Sequence, residues 1–418
     1  MTAPLPPIDA PTLRALLRER AYVLMWFSRL IGSMATQVQS IALGWQVYAV
    51  ARLTGTVAEG AFAVGMLGLA QFLPMFALAL IAGETADRHD RRVIMMICMA
   101  AECLSGCAFA AVALSGSTAL WPIYLIAVGF GVARAFYAPS SGALGPTLVP
   151  RSLLPRAIAM NSLSWQLASV IGPAIGGFLV AGSAVAAFGA SAGGFLISML
   201  LLLLFGSPAQ AWTQGASRMA QIKEGLVYLW TNKFVLGAIS LDLFAVLLGG
   251  ATALLPVFAR DVLKAGSEGF GILRAAPAVG GVAMAIILAS RPIKRHAGVK
   301  MFLGVAGFGL MTVVFALSRS LWLSAGALAL LGGCDMISVF VRGSLVQLAT
   351  PNEMRGRVGA VSSLFIGASN ELGEFESGVA ARFLGPVGAT IFGGVGSLVV
   401  TGLWARIFPS LRKADRMD

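Results

Sequence analysis

Twelve stretches of the chain are dominated by apolar residues: approximately 22–50, 58–82, 92–115, 119–141, 158–182, 184–206, 234–258, 269–290, 298–318, 321–348, 358–381 and 385–406. A helix needs roughly 20 such residues to cross a bilayer, so the pattern predicts an all-α membrane protein with twelve transmembrane helices. The longest polar interval, 207–233, falls after the sixth stretch and contains an amphipathic segment. It divides the chain into a segment 1–21, a six-helix bundle 22–206, a linker 207–233, a second six-helix bundle 234–406 and a tail 407–418. Within residues 11–20, Leu13, Leu16 and Leu17 are interleaved with Arg14, Arg18 and Arg20, the pattern of a short interfacial helix.

The two bundles repeat. A shift of 201 residues lays Gly131 on Gly332, Arg134 on Asp335, Pro150 on Pro351, Arg156 on Arg357 and Ser162-Leu163 on Ser363-Leu364. The expected architecture is therefore two pseudo-symmetric halves.

Composition agrees with the pattern. The 418 residues are 58% hydrophobic and only 11% charged, with a mean hydropathy of +0.85, far too apolar for a soluble domain. The net charge of +12 would suit nucleic acid if the bases formed one patch, but they are sorted by loop. Of 30 Lys and Arg, counting Arg92, Lys300 and Arg406 at the span edges with the loops they adjoin, 21 fall on the side of the predicted termini, five on the opposite side and four inside the spans. Positive residues remain in the cytoplasm, so both termini are expected there. Cys98, Cys103, Cys107 and Cys334 all lie in predicted spans, where they read as small apolar packing residues rather than disulfide partners. No cleavable signal peptide is evident.

Charge inside a span costs about 2.5 to 3.5 kcal/mol on insertion scales, so each such residue calls for a partner or a wet cavity. Arg29 and Gln37 in the first span, Arg134 in the fourth, Arg342 in the tenth and Asn370 in the eleventh are candidates for a substrate cavity. Arg29 also reads as a snorkelling interface residue, and Glu102 with Arg134 as a structural ion pair. Glu102, Asp242, Asp335, Glu371 and Glu374 are candidate proton carriers, with Glu371 and Glu374 three residues apart on one helix face. The bland alternative is that these acids hold helices together. Asp335 and Arg342 share a face but stand too far apart to touch without bending of the arginine.

Two further motifs stand out. The stretch 83–92, GETADRHDRR, reads as a tight charged turn after the second span. The fifth span carries Gly172, Pro173, Gly176 and Gly177, a helix breaker among small residues, which predicts a hinge or a close helix contact.

These motifs make the chain resemble the major facilitator superfamily over nearly its whole length. GETADRHDRR resembles the family's loop motif after its second helix, and GPAIGG (172–177) resembles the motif of its exporters. The resemblance implies that Gly83, Asp87, Arg88, Arg91 and Arg92 belong to a conformational latch. Two positions depart from the pattern: Asp90 stands where the loop motif has glycine, and Ala168 where the exporter motif has another. The runs 241–263 and 354–378 resemble the branch of enterobactin-type siderophore exporters and drug:proton antiporters.

The function this implies is proton-coupled secondary active export of a small organic molecule, siderophore-like or drug-like, by alternating access in a bacterial inner membrane. Import, movement of a lipid-like solute and a non-transporting sensor are the alternatives. The expected partners are the substrate, protons and the lipid bilayer, with no nucleic acid and no second copy of the chain. No cofactor and no enzyme activity are expected: no Gly-x-x-x-x-Gly-Lys phosphate loop occurs, and His89 and His296 lie apart in predicted loops without metal-ligand spacing.

Overall fold

A computed structural model describes residues 13–206, 218–291, 293 and 295–414. The described chain is all helix and connection. A short helix α1 (Leu13–Arg18) leads into α2 (Arg20–Thr54), α3 (Val57–Arg88), α4 (Arg91–Leu114), α5 (Trp121–Leu144), α6 (Leu154–Gly182) and α7 (Ala184–Leu203). After the interval 207–217, which lies outside the described residues, come α8 (Arg218–Thr231) and α9 (Lys233–Leu248), then the one-turn α10 (Leu255–Val257). The second half continues with α11 (Gly266–Ser290), α12 (Ala297–Leu317), α13 (Leu321–Ala349), α14 (Asn352–Ile407) and the one-turn α15 (Pro409–Arg412).

Ten helical segments, one of them running from α9 through α10 to Val262, are long and apolar enough to cross a membrane, among the described residues. Two features make that number smaller than the twelve apolar stretches. Helix α2 is long enough at 35 residues, but Arg29, Gln37, Gln39 and Ser40 dilute its apolar character. The last two stretches run together in α14, interrupted at Gly385, whose φ of 71° no helix accommodates.

Local sequence explains the helix boundaries. Thr56 and Glu59 form a reciprocal capping box at α3: the Thr56 hydroxyl accepts from the Glu59 amide at 3.3 Å, and the Glu59 carboxylate accepts from the Thr56 amide at 2.7 Å. Ser183 caps α7, and the Asn232 side chain accepts the amides of Phe234 and Val235 at 3.2 Å to start α9.

Two expectations are corrected here. Gly83–Arg88 is the last part of α3 rather than a turn, because nothing before His89 breaks the i to i−4 ladder; the turn is His89-Asp90, and Asp90 accepts the Arg92 amide at 2.9 Å to start α4. The departure from glycine at position 90 is thus a helix cap. The stretch 234–258 is not one helix either: α9 stops at Gly249-Gly250, and the chain passes through 3₁₀ and π turns to Val262.

Two seams join the first six long helices to the remainder: α3 against α14, and α6 against α11. Each is built on facing glycines. A Cβ on Gly65 would lie 2.8 Å from the Gly378 Cα, and a Cβ on Gly177 would lie 2.8 Å from the Gly271 Cα, so the backbones touch where the halves meet.

The core is distributed unequally along these seams. One large apolar cluster gathers Ile41, Val47 and Leu67 from the first half with Phe258, Phe270 and Phe315 from the second. It lies at the end of the bundle away from the described chain termini, called here the far end. At the near end the halves keep separate cores, one around Met95, Met99 and Phe195, the other around Met301, Phe302 and Leu345.

Candidate functional site

The charged residues of the spans resolve into three groups. In the first, Asp242 on α9 and Arg342 on α13 form an ion pair, each side chain only 7% exposed. Asp335 lies on α13 two turns before Arg342, near enough for its charge to act on both. Asp242, Phe308, Asp335 and Ser338 line a small recess beside the pair. The sequence reading placed Asp335 and Arg342 on one face; the partner that Arg342 takes comes from a different helix, which no local pattern foretold.

The second group crosses α11 and α14. Arg274 and Glu374 approach to 3.7 Å, each a little over a quarter exposed, and Arg274 also donates to the Thr252 carbonyl at 3.4 Å. Asn370 is exposed on α14. The side chain of Glu371 lies outside the described residues.

The third group is in the first half. Glu102 on α4 is 1% exposed, close enough to Arg134 on α5 for the two charges to interact, and one of its carboxylate oxygens has no hydrogen-bond partner. Arg134 also stacks over Phe130 at 5.9 Å. Arg29 is held by the Ser141 carbonyl at 3.2 Å, which ties α2 to α5. Gln37 is half-buried against α6. Gln39, another of the polar residues of the first span, is fully buried and accepts from the Ser191 hydroxyl at 3.0 Å.

The residues of GETADRHDRR make contacts only within the first half, among the interactions described. Asp87 is more than half exposed and reaches Arg91 at 3.7 Å, while Arg88 pairs with Glu84 at 2.7 Å. Arg91 donates to the Ala143 carbonyl at 3.3 Å, and Arg92 donates to those of Leu202 and Leu203 at 2.6 and 3.2 Å. These arginines therefore satisfy helix C-terminal carbonyls of α5 and α7. Gly83 is buried against its neighbours.

The glycine motif of α6 serves two faces. Gly172 and Gly176 press on α2, a Cβ at either coming within 2.6 Å of Gln37 or 3.0 Å of Ile41. Gly177 and the Pro173 carbonyl face Gly271 on α11. The helix runs unbroken through Pro173.

At the far end, a contact between the halves went unnoticed in the sequence. The Tyr48 hydroxyl hydrogen-bonds to Asp261, and Arg52 approaches the same carboxylate at 3.7 Å. Arg260 lies over the Tyr48 ring at 5.8 Å, and Trp45 stacks on Phe270. Tyr48 and Arg52 end α2, whereas Asp261 sits in the π turn after α10. Their only sequence signal is position: Tyr48 lies at the end of one apolar stretch, and Arg52 and Asp261 just beyond the ends of two.

At the near end a cavity of about 510 Å³ opens between α13 and α14, lined by Arg342, Gln347, Thr350, Arg355, Ser362 and several aliphatic residues. No group of three or more metal-ligating side chains occurs among the described residues.

Paired glycine seams between two helical halves, buried charge within the spans, and closure at one end with a cavity at the other define a polytopic transporter of the major facilitator superfamily. Residues 12–418 match the model of the transmembrane secretion effector family, and the chain belongs to that family. It is 25% identical over 406 residues to the enterobactin exporter EntS of Shigella boydii serotype 18, covering 96% of this chain and 93% of that protein. The same protein of Escherichia coli O139:H28 matches to the same extent. Among solved structures, a POT family transporter in complex with a thioalcohol-conjugated peptide superposes with a TM-score of 0.75 at 12% identity, over 94% of this chain and 96% of that one. A D-xylose-proton symporter superposes with a TM-score of 0.71 at 12% identity, over 94% and 98%. At these identities the structural likeness speaks for the fold alone. The chain is a membrane transporter and not an enzyme.

Proposed function

We propose that the protein exports a small organic molecule, siderophore-like or drug-like, across a bacterial inner membrane in exchange for protons. In this reading twelve helices form two pseudo-symmetric bundles, 22–206 and 234–406, which rock about the two glycine seams as a monomer. The near end, with both termini, faces the cytoplasm. The likeness to the enterobactin exporter supports the outward direction.

The observation that carries the reading is the cluster of buried Asp242 and Arg342 with half-buried Asp335, two acids to one base, beside a cavity open at the near end. One arginine compensates one carboxylate, so the cluster has room for a proton that comes and goes as access changes. Glu371 and Glu374 remain carriers in the same half, with Arg274 paired to Glu374. Glu102 plays the equivalent part in the first half.

Proteoliposomes with an imposed pH gradient test this. Wild-type protein is expected to accumulate a transported solute against its gradient. Asp335→Asn, or Glu371→Gln combined with Glu374→Gln, is expected to abolish uphill movement while sparing exchange. Full pH-driven accumulation in all of these variants would overturn the proton coupling.

A further inference from the structure

The near-end cavity carries chemistry that does not follow from the repeat. Its volume of about 510 Å³ is within the range of sites for drug-sized molecules. Arg355 lines it from the first turn of α14. The Arg355 Nε donates to the carbonyls of Gln347 and Thr350 at 3.0 and 3.2 Å, which holds the guanidinium in place. Its two terminal nitrogens have no hydrogen bond among the described residues. Arg342 forms the inner part of the same wall, its charge already met by Asp242. No acidic residue lines the cavity among the described residues, while Val339, Val346, Val358 and Ile366 supply aliphatic surface.

The repeat makes this wall one-sided. The shift of 201 residues places Arg342 on Ser141 and Arg355 on Leu154, so the first half has no basic residue at either position, whereas Gly343 falls on Gly142. Packing demands from the fold would be shared by both halves; the two arginines are not. A Cβ added to Gly343 or Gly359 would meet nothing within 4 Å, so these glycines leave open space between α13 and α14.

We infer that this cavity is where the transported solute enters from the near side, and that it selects an organic anion with an apolar body. This rests on the transport reading above and adds the charge of the substrate. Arg355, fixed through Nε and open at both terminal nitrogens, receives a carboxylate or similar planar anion in a two-pronged contact. The aliphatic wall receives the remainder. The competing role for Arg355 is purely structural, as a cap on the last carbonyls of α13; it predicts no preference for charge.

Three probes sharing one ring system separate these roles: 2-naphthoate, 2-naphthamide and 2-naphthylmethylammonium, each measured by equilibrium dialysis against the full chain in nanodiscs. The wild-type protein is expected to bind the naphthoate in clear preference to the other two. Arg355→Gln should weaken naphthoate binding about tenfold, the loss of a charge-assisted contact, and leave the amide unchanged. Gly343→Leu should weaken all three by filling the cavity, and its open surroundings allow it to fold; thermal unfolding of both variants is followed alongside. Equal binding of the three probes, naphthoate binding unaffected by Arg355→Gln, or no binding to the wild type would each overturn the inference. None of those results touches pH-driven transport, whose failure in proteoliposomes would instead remove the function itself.

Discussion

At the residue scale, the Asp242–Arg342 pair shows how a membrane protein keeps charge in its interior. Each member alone would be a buried, uncompensated ion, so the pair survives by mutual contact across α9 and α13. Removing one partner leaves the other stranded. Asp242→Asn is expected to cost about 3 kcal/mol, the magnitude of breaking a buried pair, read as earlier thermal unfolding in detergent. The double variant with Arg342→Met should recover part of that loss while still lacking pH-driven transport. Had the pair served stability alone, the double variant would transport normally. The sequence showed that Asp242, Asp335 and Arg342 sit in spans and are costly there. It did not show their pairing, because residues a hundred positions apart meet only through helix packing.

At the scale of the element, α6 and α11 illustrate a division of labour along one helix. The sequence identified Gly172, Pro173, Gly176 and Gly177 as a group, and the structure gives alternate members to different neighbours. Gly177 is the member at the seam between halves: any Cβ there meets the backbone of α11, which cannot move aside as a side chain would. Gly177→Ala is expected to slow transport severalfold, whereas Gly182→Ala, which faces open space, should leave it unchanged. Transport rates at equal protein levels decide the matter. Gly271 and the Gly65–Gly378 contact had no comparable signature, since isolated glycines are common in this chain and only their opposition across a seam makes them special. The segment 83–92 behaves similarly. Arg91 and Arg92 bind the ends of α5 and α7, leaving Asp87 exposed with a single partner in its own half. Asp87→Asn is expected to lower turnover while substrate affinity stays within a few-fold, as measured in vesicles; unchanged turnover would remove Asp87 from the conformational cycle.

At the scale of the whole molecule, the distribution of the core states which end is closed. A single apolar cluster bridges the halves at the far end, while at the near end the halves keep separate clusters and a cavity opens between α13 and α14. Tyr48, Arg52 and Asp261 reinforce the far-end closure with polar contacts between α2 and the turn after α10. Weakening them should favour opening at that end. Asp261→Asn is expected to shift the balance by about 1 to 3 kcal/mol, roughly 5- to 150-fold in population. In a background freed of native cysteines, Phe270→Cys, buried here under Trp45, should then react faster with a membrane-impermeant thiol reagent. An unchanged labelling rate would make the contact a bystander of closure.

The sequence by itself determined the class of the molecule: long apolar stretches have one stable solution in a bilayer, the helix, and their repeat and sorted charges follow from reading along the chain. Helix caps are local too, because capping acts over three or four residues, but Asp90 read in the sequence only as a departure from glycine and the structure showed it to be a cap. Only the tertiary structure decided which charges meet, which glycines face each other, where α9 gives way to irregular turns, and which end is shut. Those outcomes depend on contacts between helices far apart in the chain. A polar residue in a span announces that it needs a partner, but the partner is chosen by packing.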